Sequence, residues 1–457
     1  MKRVSPKIAL LNVILFSAFT FGAKASSDQN GRQFSVASYG AKGDGTSDDS
    51  KPIQKCFDDA SRVSNATILF PSGTYLITSP IQYKSGIKFS LEIKGESGKS
   101  KLICNKLSSF FSVSGNLVPN AIVNIHDLTI EGNNPPFSAT HPYYNKAGMY
   151  VFAIALFNID KATINNVIIK NIYGEGIYIV NDQRNKAPVS ANSTQIRITN
   201  NRILNCWGLH PTLDKGFQDE YGDGIYLSNV SGATIENNIV KNDLNVTKQF
   251  GRAGIVLEFN CRNCIINKNQ VSGYDRDIHI EGDLGGHIIS NNNLTGSEIG
   301  VFSSLVCADG SANPITITNN YISNDGIPLN NSFTRVLPMG SRALLSLHGD
   351  WKKVRARTIL AGNQVVYSNK SDYTPNVLVM TWISYINLKN NVFSQPENSK
   401  KKLSLVFGYE IGDLMNNSFN NISDLKFDGV KVKGQKIVTG VKQGNKKTSM
   451  TTSNLNF

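Results

Sequence analysis

Four acidic residues and a histidine occur at matching places in consecutive apolar segments of the chain, and these are residue types of acid–base catalysis. Residues 277–281 read Asp-Ile-His-Ile-Glu, so Asp277, His279 and Glu281 would share one face of a strand whose isoleucines point inward. Glu258 ends the preceding segment of this kind, and Glu298 begins the following one. Two carboxyl groups, one protonated and one ionised, are the usual machinery of glycoside hydrolysis.

Stacking of these segments would bring the acids of neighbouring segments together. Strands lie roughly 5 Å apart in a sheet, so Glu258 would lie beside Glu281, and Asp277 beside Glu298. We expect one carboxyl of such a pair to keep its proton above its ordinary pKa, because two adjacent charges repel. A separation of about 5 Å is typical of retaining glycosidases, whereas inverting ones leave ~6.5–9.5 Å for a water. The predicted catalytic residues are Glu258, Glu281, Asp277 and His279, with the histidine as a base, an orienting group or a pH-sensitive group.

A second group of residues near the same segments is suited to binding a glycan. Tyr178 and Tyr226 occupy outward positions of two earlier segments, and Arg252 and Arg276 stand just before strand starts. The arginines could bind a sugar carboxylate or pair with the acids. Long insertions would flank this surface, as functional loops on a rigid scaffold do. These insertions are 182–193, 207–221 and 245–252. The predicted substrate-binding residues are Tyr178, Tyr226, Trp207, Arg252, Arg276 and Glu298.

A repeat must position these residues. The pattern apolar–x–x–Asn–x–apolar recurs with 23 to 43 residues between successive asparagines. The asparagines are Asn201, Asn238, Asn269, Asn292, Asn320, Asn363, Asn391 and Asn417. Periods in this range indicate a solenoid, and the alternating runs between the asparagines indicate short strands. We therefore predict stacked coils of parallel strands, in which turn asparagines of successive coils hydrogen-bond to one another and tolerate a left-handed backbone.

The N-terminal part of the chain predicts a helix against the first coil. Residues 49–52 read Asp-Ser-Lys-Pro, which is a typical helix start, and apolar residues follow at helical spacing as far as Val63. A stack of coils has two open ends that must be covered. We therefore expect this helix to cap the first coil.

Three short motifs in the same region resemble a known signature. Residues 39–46 read Tyr-Gly-Ala-Lys-Gly-Asp-Gly-Thr, residues 48–50 read Asp-Asp-Ser, and residues 69–75 read Leu-Phe-Pro-Ser-Gly-Thr-Tyr. Together they resemble the N-terminal signature of pectate-lyase-superfamily, glycoside-hydrolase-28-related β-helix proteins, which include rhamnogalacturonase- and epimerase-like enzymes and phage tailspike depolymerases. The resemblance implies an all-β fold, a single-stranded right-handed parallel β-helix with an N-terminal capping helix. It also implies a carbohydrate substrate, but not one particular reaction.

The active-site motifs of that superfamily do not stand in this sequence. Polygalacturonases carry N-T-D, D-D, G-H-G and R-I-K on successive coils, and alginate epimerases carry D-P-H-E. Neither set occurs in the right frame, so no catalytic residue is transferred from either group. Within the signature, Asp44, Asp48 and Asp49 are expected to have a structural role in the turns and at the helix start.

The two ends of the chain differ from the repeat. Residues 1–25 combine a charged start, an apolar run and an Ala-Lys-Ala cleavage site, which predicts a secretory signal peptide; an uncleaved anchor is the alternative. We predict a β-helix domain over 26–425 and a basic C-terminal strand and tail over 426–457. The net charge of +13 is concentrated in the two ends, so nucleic acid is not an expected partner. The protein is predicted to be secreted or periplasmic, without a membrane span and in an oligomeric state that the sequence leaves open.

Cysteines and cofactors are the last question that the composition raises. All six cysteines follow the predicted cleavage site, which permits disulfides without determining their pairing; buried free thiols are the alternative. Cys261 and Cys264 have no second pair of metal ligands nearby, so zinc is not expected. No metal or cofactor is predicted, although calcium could accompany a lyase.

These residues favour an exported glycoside hydrolase that uses paired carboxylates on the outer face of a β-helix and acts on a polysaccharide, either neutral or acidic. A polysaccharide lyase or C5-epimerase acting on uronic acids is the first alternative, with an arginine to neutralise the uronate and His279 or Tyr226 as the base. A non-catalytic glycan-binding protein of exopolysaccharide assembly is the second. The hydrolase ranks first because acids outnumber bases on this face.

Overall fold

A computed structural model shows the chain as a stack of short strands and describes it in separate segments. The larger segments are residues 31–104, 109–115, 121–133, 151–181, 195–208, 222–247, 250–307, 313–327, 343–349, 356–368 and 383–396. The shorter ones are residues 376–381, 403–406, 411–415, 418–420, 425–428, 438–443 and 446–450. The predicted signal peptide, the insertion 182–193, most of the insertion 207–221 and Asn417 lie outside the described residues.

Successive strands along the chain contribute in turn to three parallel sheets. The strands of the first sheet are Arg32–Ser35, Asn65–Phe70, Ser90–Gly95, Ile122–His126, Lys161–Asn165, Gln195–Thr199, Thr234–Glu236, Ile265–Asn267, Ile288–Ser290, Pro314–Thr318, Ala356–Ala361, Ile383–Lys389 and Ile411–Met415. Those of the second are Asp44–Asp48, Gly73–Leu76, Ser100–Ile103, Thr129–Glu131, Ile168–Lys170, Arg202–Leu204, Ile239–Lys241, Gln270–Ser272, Asn293–Thr295, Tyr321–Ser323, Gln364–Val366, Val392–Ser394 and Ser418–Asn420. Those of the third are Ile81–Lys84, Phe111–Ser114, Phe152–Phe157, Glu175–Val180, Ile225–Ser228, Gly251–Glu258, Tyr274–Glu281, Ile299–Val306, Ala343–Gly349 and Asn376–Thr381.

Each strand pairs in parallel with its equivalents on the coils before and after, which is the predicted all-β parallel β-helix. The apolar residue three positions before each repeat asparagine shows the register of the first sheet. From coil to coil, this column consists of Ile164, Ile198, Ile235, Ile266, Ile289, Ile317, Leu360 and Leu388. Every member of the column is buried in one continuous core. The isoleucines therefore point inward, as the alternation predicts.

The repeat asparagines form a hydrogen-bonded ladder at the corner between the first and second sheets. The Oδ1 of Asn292 accepts the backbone N–H of Asn269 at 2.9 Å, and its Nδ2 donates to the carbonyl of Ile266. The same contacts recur on every step of the ladder. The members of the ladder are Asn201, Asn238, Asn269, Asn292, Asn320, Asn363 and Asn391. They are buried, so the predicted stacking of turn asparagines is confirmed for the described residues.

The left-handed backbone occurs one residue earlier than expected. The residue before each ladder asparagine has a positive φ, as at Asn200, Asn237, Asn291, Asn319 and Asn390. Asparagine tolerates this region better than most residues. In each of these Asn-Asn pairs, the first asparagine adopts the left-handed turn conformation and the second makes the ladder hydrogen bonds.

The predicted N-terminal helix is present over Ser50–Ala60, and two shorter helices occupy Val36–Tyr39 and Leu244–Thr247. Its apolar side chains, Ile53, Cys56, Phe57 and Ala60, are buried against the first coils. The capping role of this helix stays a prediction.

The acids of the N-terminal signature hold turns. Asp49 accepts backbone N–H groups of Lys42 and Gly43, and Asp44 accepts those of Thr46 and Ser47.

The end of the chain departs from the regular three-sheet pattern, although Val438–Gln443 still pairs in parallel with Ser418–Asn420. Leu403–Val406 pairs in parallel with Leu425–Asp428, and Val438–Gln443 pairs antiparallel with Lys446–Met450.

All six cysteines are buried free thiols, the alternative to disulfides. Within the described residues, no helix combines the length and the apolar character that crossing a bilayer requires.

Replacing a central ladder residue is expected to destabilise the fold. Asn292→Ala leaves the N–H of Asn269 and the carbonyl of Ile266 buried without their partner, which should cost about 2–4 kcal/mol in the free energy of unfolding. Chemical denaturation measures this loss. The matched control is Asn293→Ala, one residue further in an exposed position, which should change the free energy by less than about 0.5 kcal/mol. Equal losses in the two variants would contradict the ladder's role.

Candidate functional site

The third sheet brings two of the predicted acids side by side. Gly251–Glu258 and Tyr274–Glu281 pair in parallel, with Glu258 directly opposite Glu281. The register predicted for these two residues is therefore confirmed. Both glutamates close their strands on the outer side, because the intervening Ile278 and Ile280 face the core.

Three side chains surround the carboxylate of Glu258. The Tyr226 hydroxyl donates a hydrogen bond to Oε2 at 2.8 Å, and Arg252 Nη2 donates to Oε1 at 2.7 Å. The His279 ring nitrogen Nε2 lies 3.3 Å from the same Oε1. Glu258 is buried, so these groups take the place of water around its charge.

The surroundings of Glu258 keep it ionised. Burial alone would raise its pKa, but the charge of Arg252 and the hydrogen bond from His279 outweigh burial and hold the pKa well below its usual range. We expected repulsion from Glu281 to retain a proton on this pair. The proton expected on one member of the pair does not lie on Glu258, because a cation and a ring N–H lie against this carboxylate. Burial and then the charge of Glu258 raise the pKa of Tyr226 strongly, so this phenol stays protonated.

His279 links the two glutamates from below. It is fully buried, and its Nε2 lies 3.0 Å from Oε2 of Glu281 as well as near Glu258. Its other nitrogen, Nδ1, lies 2.9 Å from Nη1 of Arg276. A guanidinium can only donate, so Nδ1 accepts and Nε2 carries the proton of a neutral ring. His279 therefore donates toward both carboxylates and does not reach the surface itself.

Glu281 is the member of this cluster that reaches solvent. Its side chain is 38% exposed. One oxygen of Glu281, one oxygen of Glu258 and one nitrogen of His279 all lie within 4.8 Å of one another. A substrate on the outer face can therefore touch Glu281 while Glu258 forms the floor beneath it.

The hydrogen bonds around these three groups do not fit a metal ion. A metal-bound histidine normally donates its second ring N–H to an acceptor, but the second nitrogen of His279 faces the donor Arg276. Calcium takes oxygen ligands, and both oxygens of Glu258 already accept from Tyr226 and Arg252. The cluster is therefore better described as an ion-pair and hydrogen-bond network.

Asp277 does not belong to the outer face, and its predicted outward position is wrong. It is fully buried, and its Oδ1 accepts a hydrogen bond from Ser297. The equivalent positions of neighbouring coils are glycines, namely Gly176, Gly224, Gly254 and Gly300. A Cβ at Gly254 would lie 2.2 Å from the core side chain of Val271, so this column faces inward. Counting alternate residues outward from Ile278 therefore gives the wrong side for Asp277. Burial raises the pKa of Asp277 well above its ordinary value.

Glu298 does not lie beside Asp277. The strands align Arg276 with Ile299, so the neighbour of Asp277 is Gly300. The sequence-based prediction matched Ile278 with Ile299. The structure instead places Gly300 opposite Asp277, in the column that faces the core, where a Cβ at Gly300 would lie 2.3 Å from Ile322. Glu298 is buried before the strand begins.

Trp207 and Arg276 are also less accessible than predicted. Trp207 is buried and packs edge-to-face against Tyr173 with ring centroids 5.6 Å apart, so it offers no face to a glycan. Arg276 is buried beside His279. Arg252 contacts Glu258 and Asp223, which is one of the two roles considered for the arginines.

Asp223 and Glu175 are buried acids that the sequence reasoning missed. Asp223 holds the guanidinium of Arg252 at 3.0 Å and accepts the backbone N–H of Ala253 at 2.9 Å. Glu175 accepts the N–H of Asp223 at 2.9 Å. The signal was visible as a repeated Glu-Gly-Ile and Asp-Gly-Ile at 175–177 and 223–225. Asp223 positions Arg252 against Glu258.

The two tyrosines form a stack along the axis of the coil. The rings of Tyr178 and Tyr226 are nearly parallel with centroids 5.0 Å apart, and Phe152 stacks on Tyr178 at 5.9 Å. Because the rings cover one another's faces, Tyr178 and Tyr226 present edges and hydroxyl groups to the outer surface. Tyr226 thereby meets Glu258 through its hydroxyl group.

Comparison with known proteins points to one family. A family described as rhamnogalacturonase A/epimerase, pectate lyase-like matches residues 33–272, which is more than half of the chain. No curated protein matches the sequence significantly.

Solved structures share the architecture at low identity. The A-module of the mannuronan C-5 epimerase AlgE4 from Azotobacter vinelandii has a TM-score of 0.54 at 15% identity, covering 88% of this chain and 100% of that one. The catalytic unit of a GH87 α-1,3-glucanase from Streptomyces thermodiastaticus strain HF3-3 has 0.52 at 12%, covering 90% and 68%. The surface protein and adhesin PfbA of Streptococcus pneumoniae has 0.50 at 16%, covering 90% and 99%. At these identities the likeness shows the fold alone.

The low pKa of Glu258 predicts a pH-dependent contribution to stability. A carboxyl whose pKa is lower in the folded than in the unfolded chain stabilises the fold above its unfolded pKa, about 4.3 for glutamate. This contribution is lost as the pH falls toward the folded pKa. Glu258→Gln should therefore be about 1–3 kcal/mol less stable than the wild type at pH 7.

The difference between the two proteins should narrow as the pH falls below about 4. Denaturant unfolding at a series of pH values measures it. Glu96→Gln, which removes an exposed carboxylate, controls for the change of charge. A stability gap for Glu258→Gln that stays constant down to pH 3 would contradict the low pKa of Glu258.

Proposed function

Because this chain belongs to the rhamnogalacturonase A/epimerase, pectate lyase-like family, we propose that it is an enzyme that acts on a polysaccharide, and specifically a glycoside hydrolase working through Glu258 and Glu281. The observation that supports this is the pairing of two glutamates in different environments at one end of the third sheet. Glu258 is buried and kept ionised, and Glu281 is open to solvent.

The two carboxyl groups differ in a way that suits glycoside hydrolysis. An ionised carboxylate stabilises or attacks the positively charged anomeric carbon, which is the role of Glu258. Glu281 protonates the glycosidic oxygen and later takes a proton from water. Their oxygens approach within 4.8 Å, nearer to the ~5–5.5 Å of retaining enzymes than to the ~6.5–9.5 Å of inverting ones. We therefore expect retention of configuration.

The surrounding residues position this pair rather than react. Arg252 and Tyr226 keep Glu258 charged and oriented. His279 donates toward both carboxylates and holds them at a fixed separation. Arg276 fixes the tautomer of His279. No cofactor takes part in this proposal.

The lyase or C5-epimerase alternative has less support from the geometry. That chemistry needs a cation for the uronate carboxylate and a base for the proton at C5. Arg252 already binds Asp223 and Glu258, and Arg276 is buried beside His279. The raised pKa of Tyr226 also opposes a tyrosinate base. Epimerase activity remains the second candidate. The description of the family includes an epimerase, and the epimerase AlgE4 has this fold.

The proposed reaction is tested with polymers that the family and fold relatives suggest. Rhamnogalacturonan, mannuronan and α-1,3-glucan are each incubated with the purified protein, and products are measured by mass spectrometry and as reducing ends. A hydrolase gives new reducing ends without unsaturation. Unsaturated products absorbing in the ultraviolet would indicate a lyase, and a change of sugar configuration without cleavage would indicate an epimerase.

The glutamate variants assign the chemistry to the cluster. Glu281→Gln should lower the rate by about 100-fold or more while the protein still binds the polymer. Glu258→Gln should also abolish turnover, and Glu96→Gln should leave it unchanged. Binding of a polymer by the wild type without any turnover would support the glycan-binding alternative. The fold is also found in a protein described as a surface protein and adhesin, PfbA.

We also propose that the protein acts outside the cytoplasm, as the predicted signal peptide indicates. Cell fractionation and N-terminal sequencing of the exported protein should find a mature chain that starts near Ser26. A chain retained in the cytoplasm with Met1 intact would contradict this proposal.

A further inference from the structure

Phe259 combines three properties that are rarely found together. It follows Glu258 directly in the chain, and although it is apolar, it is 49% exposed. Its backbone has a φ of 51°, in the left-handed region. A bulky aromatic residue is an outlier there, and such outliers concentrate at functional sites.

The other coils show which residue types this turn favours. Four residues are equivalent in the strand register, namely Ser228, Glu258, Glu281 and Ser304. The residues that follow them therefore occupy the same turn on successive coils. These turn residues are Asn229, Phe259, Gly282 and Leu305, and all have a positive φ of 51° to 60°. Asparagine and glycine adopt this conformation readily. The turn therefore exists without an aromatic residue, and the backbone does not require Phe259.

Phe259 lies at the turn that directly follows the two glutamates on adjacent coils. The N–H of Phe259 donates to the carbonyl of Glu281 at 3.0 Å. The ring lies over Gly282 on the next coil, since a Cβ added there would lie 3.8 Å from Cδ1 of Phe259. A solvent-exposed apolar ring therefore lies at the turn between Glu258 on one coil and the residue after Glu281 on the next.

We propose that Phe259 is a sugar-binding platform, whose ring face contacts the apolar C–H face of the pyranose residue next to the bond that is cleaved. This inference rests on the proposed function. Aromatic rings contribute large apolar contact area at little cost in side-chain entropy. Tyr178 and Tyr226 cannot supply such a face, because they stack on each other. Phe259 supplies it next to the reacting groups.

The test separates a ligand-binding role from a structural one. Phe259→Asn installs a residue that suits the left-handed turn, as Asn229 does on an earlier coil. If the ring serves the ligand, this variant should have a Tm equal to or above that of the wild type. Its affinity for the polymer should be about tenfold weaker, and Phe259→Trp should bind as the wild type does.

Binding is measured by calorimetry in the Glu281→Gln background, so that the polymer is not consumed. The probes are rhamnogalacturonan, mannuronan and α-1,3-glucan. Ile288→Thr is the matched control for loss of an exposed apolar side chain, since Ile288 is 43% exposed on the first sheet and Thr316 occupies the same place on the next coil. Leu305→Asn is the control for backbone relief and should likewise not lower the Tm.

The outcomes distinguish this inference from the proposed function. Unchanged affinity of Phe259→Asn for a polymer that Glu281→Gln binds overturns the platform and leaves the hydrolase intact. A lowered Tm also overturns the platform, because the ring would then be part of the packing. If Glu281→Gln binds none of the three polymers, the proposed function fails together with this inference.

Discussion

The alignment of each coil with the next is the constraint on which the rest of this structure depends. Parallel strands fix one coil about 4.8 Å from its neighbour, and the register is regular through the central coils of all three sheets. The buried asparagines enforce that register at the corner between the first and second sheets, because each one needs its equivalent on the adjacent coil. A slip of a single residue would break the ladder and turn the isoleucine columns outward.

The same constraint creates the electrostatics of the candidate site. Residues far apart in sequence become neighbours every time the chain completes a coil, so Asp223 of one coil lies against Arg252 of the next, whose strand also carries Glu258. Burying a carboxylate is costly unless a cation and hydrogen bonds replace its water. Arg252 provides the cation for Glu258, and the backbone N–H of Ala253 helps to satisfy Asp223. One glutamate is thereby held charged inside the protein, while its neighbour Glu281 remains open to solvent.

The fold and the central pair were predictable because they follow from periodicity. Inward isoleucines and turn asparagines determine which residues stack, and this was enough to place Glu258 beside Glu281. The predicted positions are wrong where side chains do not alternate regularly between the core and the surface. Asp277 lies within Tyr274–Glu281, in an otherwise glycine-filled column that faces the core, so counting residues outward from Ile278 gives the wrong side. Glu298 was placed by matching isoleucines, although Gly300 determines the register.

Protonation states were harder to predict than positions. Two adjacent carboxylates alone would share a proton, and only the location of Arg252 and the tautomer of His279 decide otherwise for Glu258. Both depend on side-chain directions that a linear pattern does not contain. The ladder and the site also lie at different corners of the coil. The repeated, buried and satisfied corner provides stability, so the other corner can accommodate buried charges and a strained Phe259 that a smaller fold would tolerate less well. The division of each coil into a stabilising corner and a variable outer face explains how one architecture carries different chemistries.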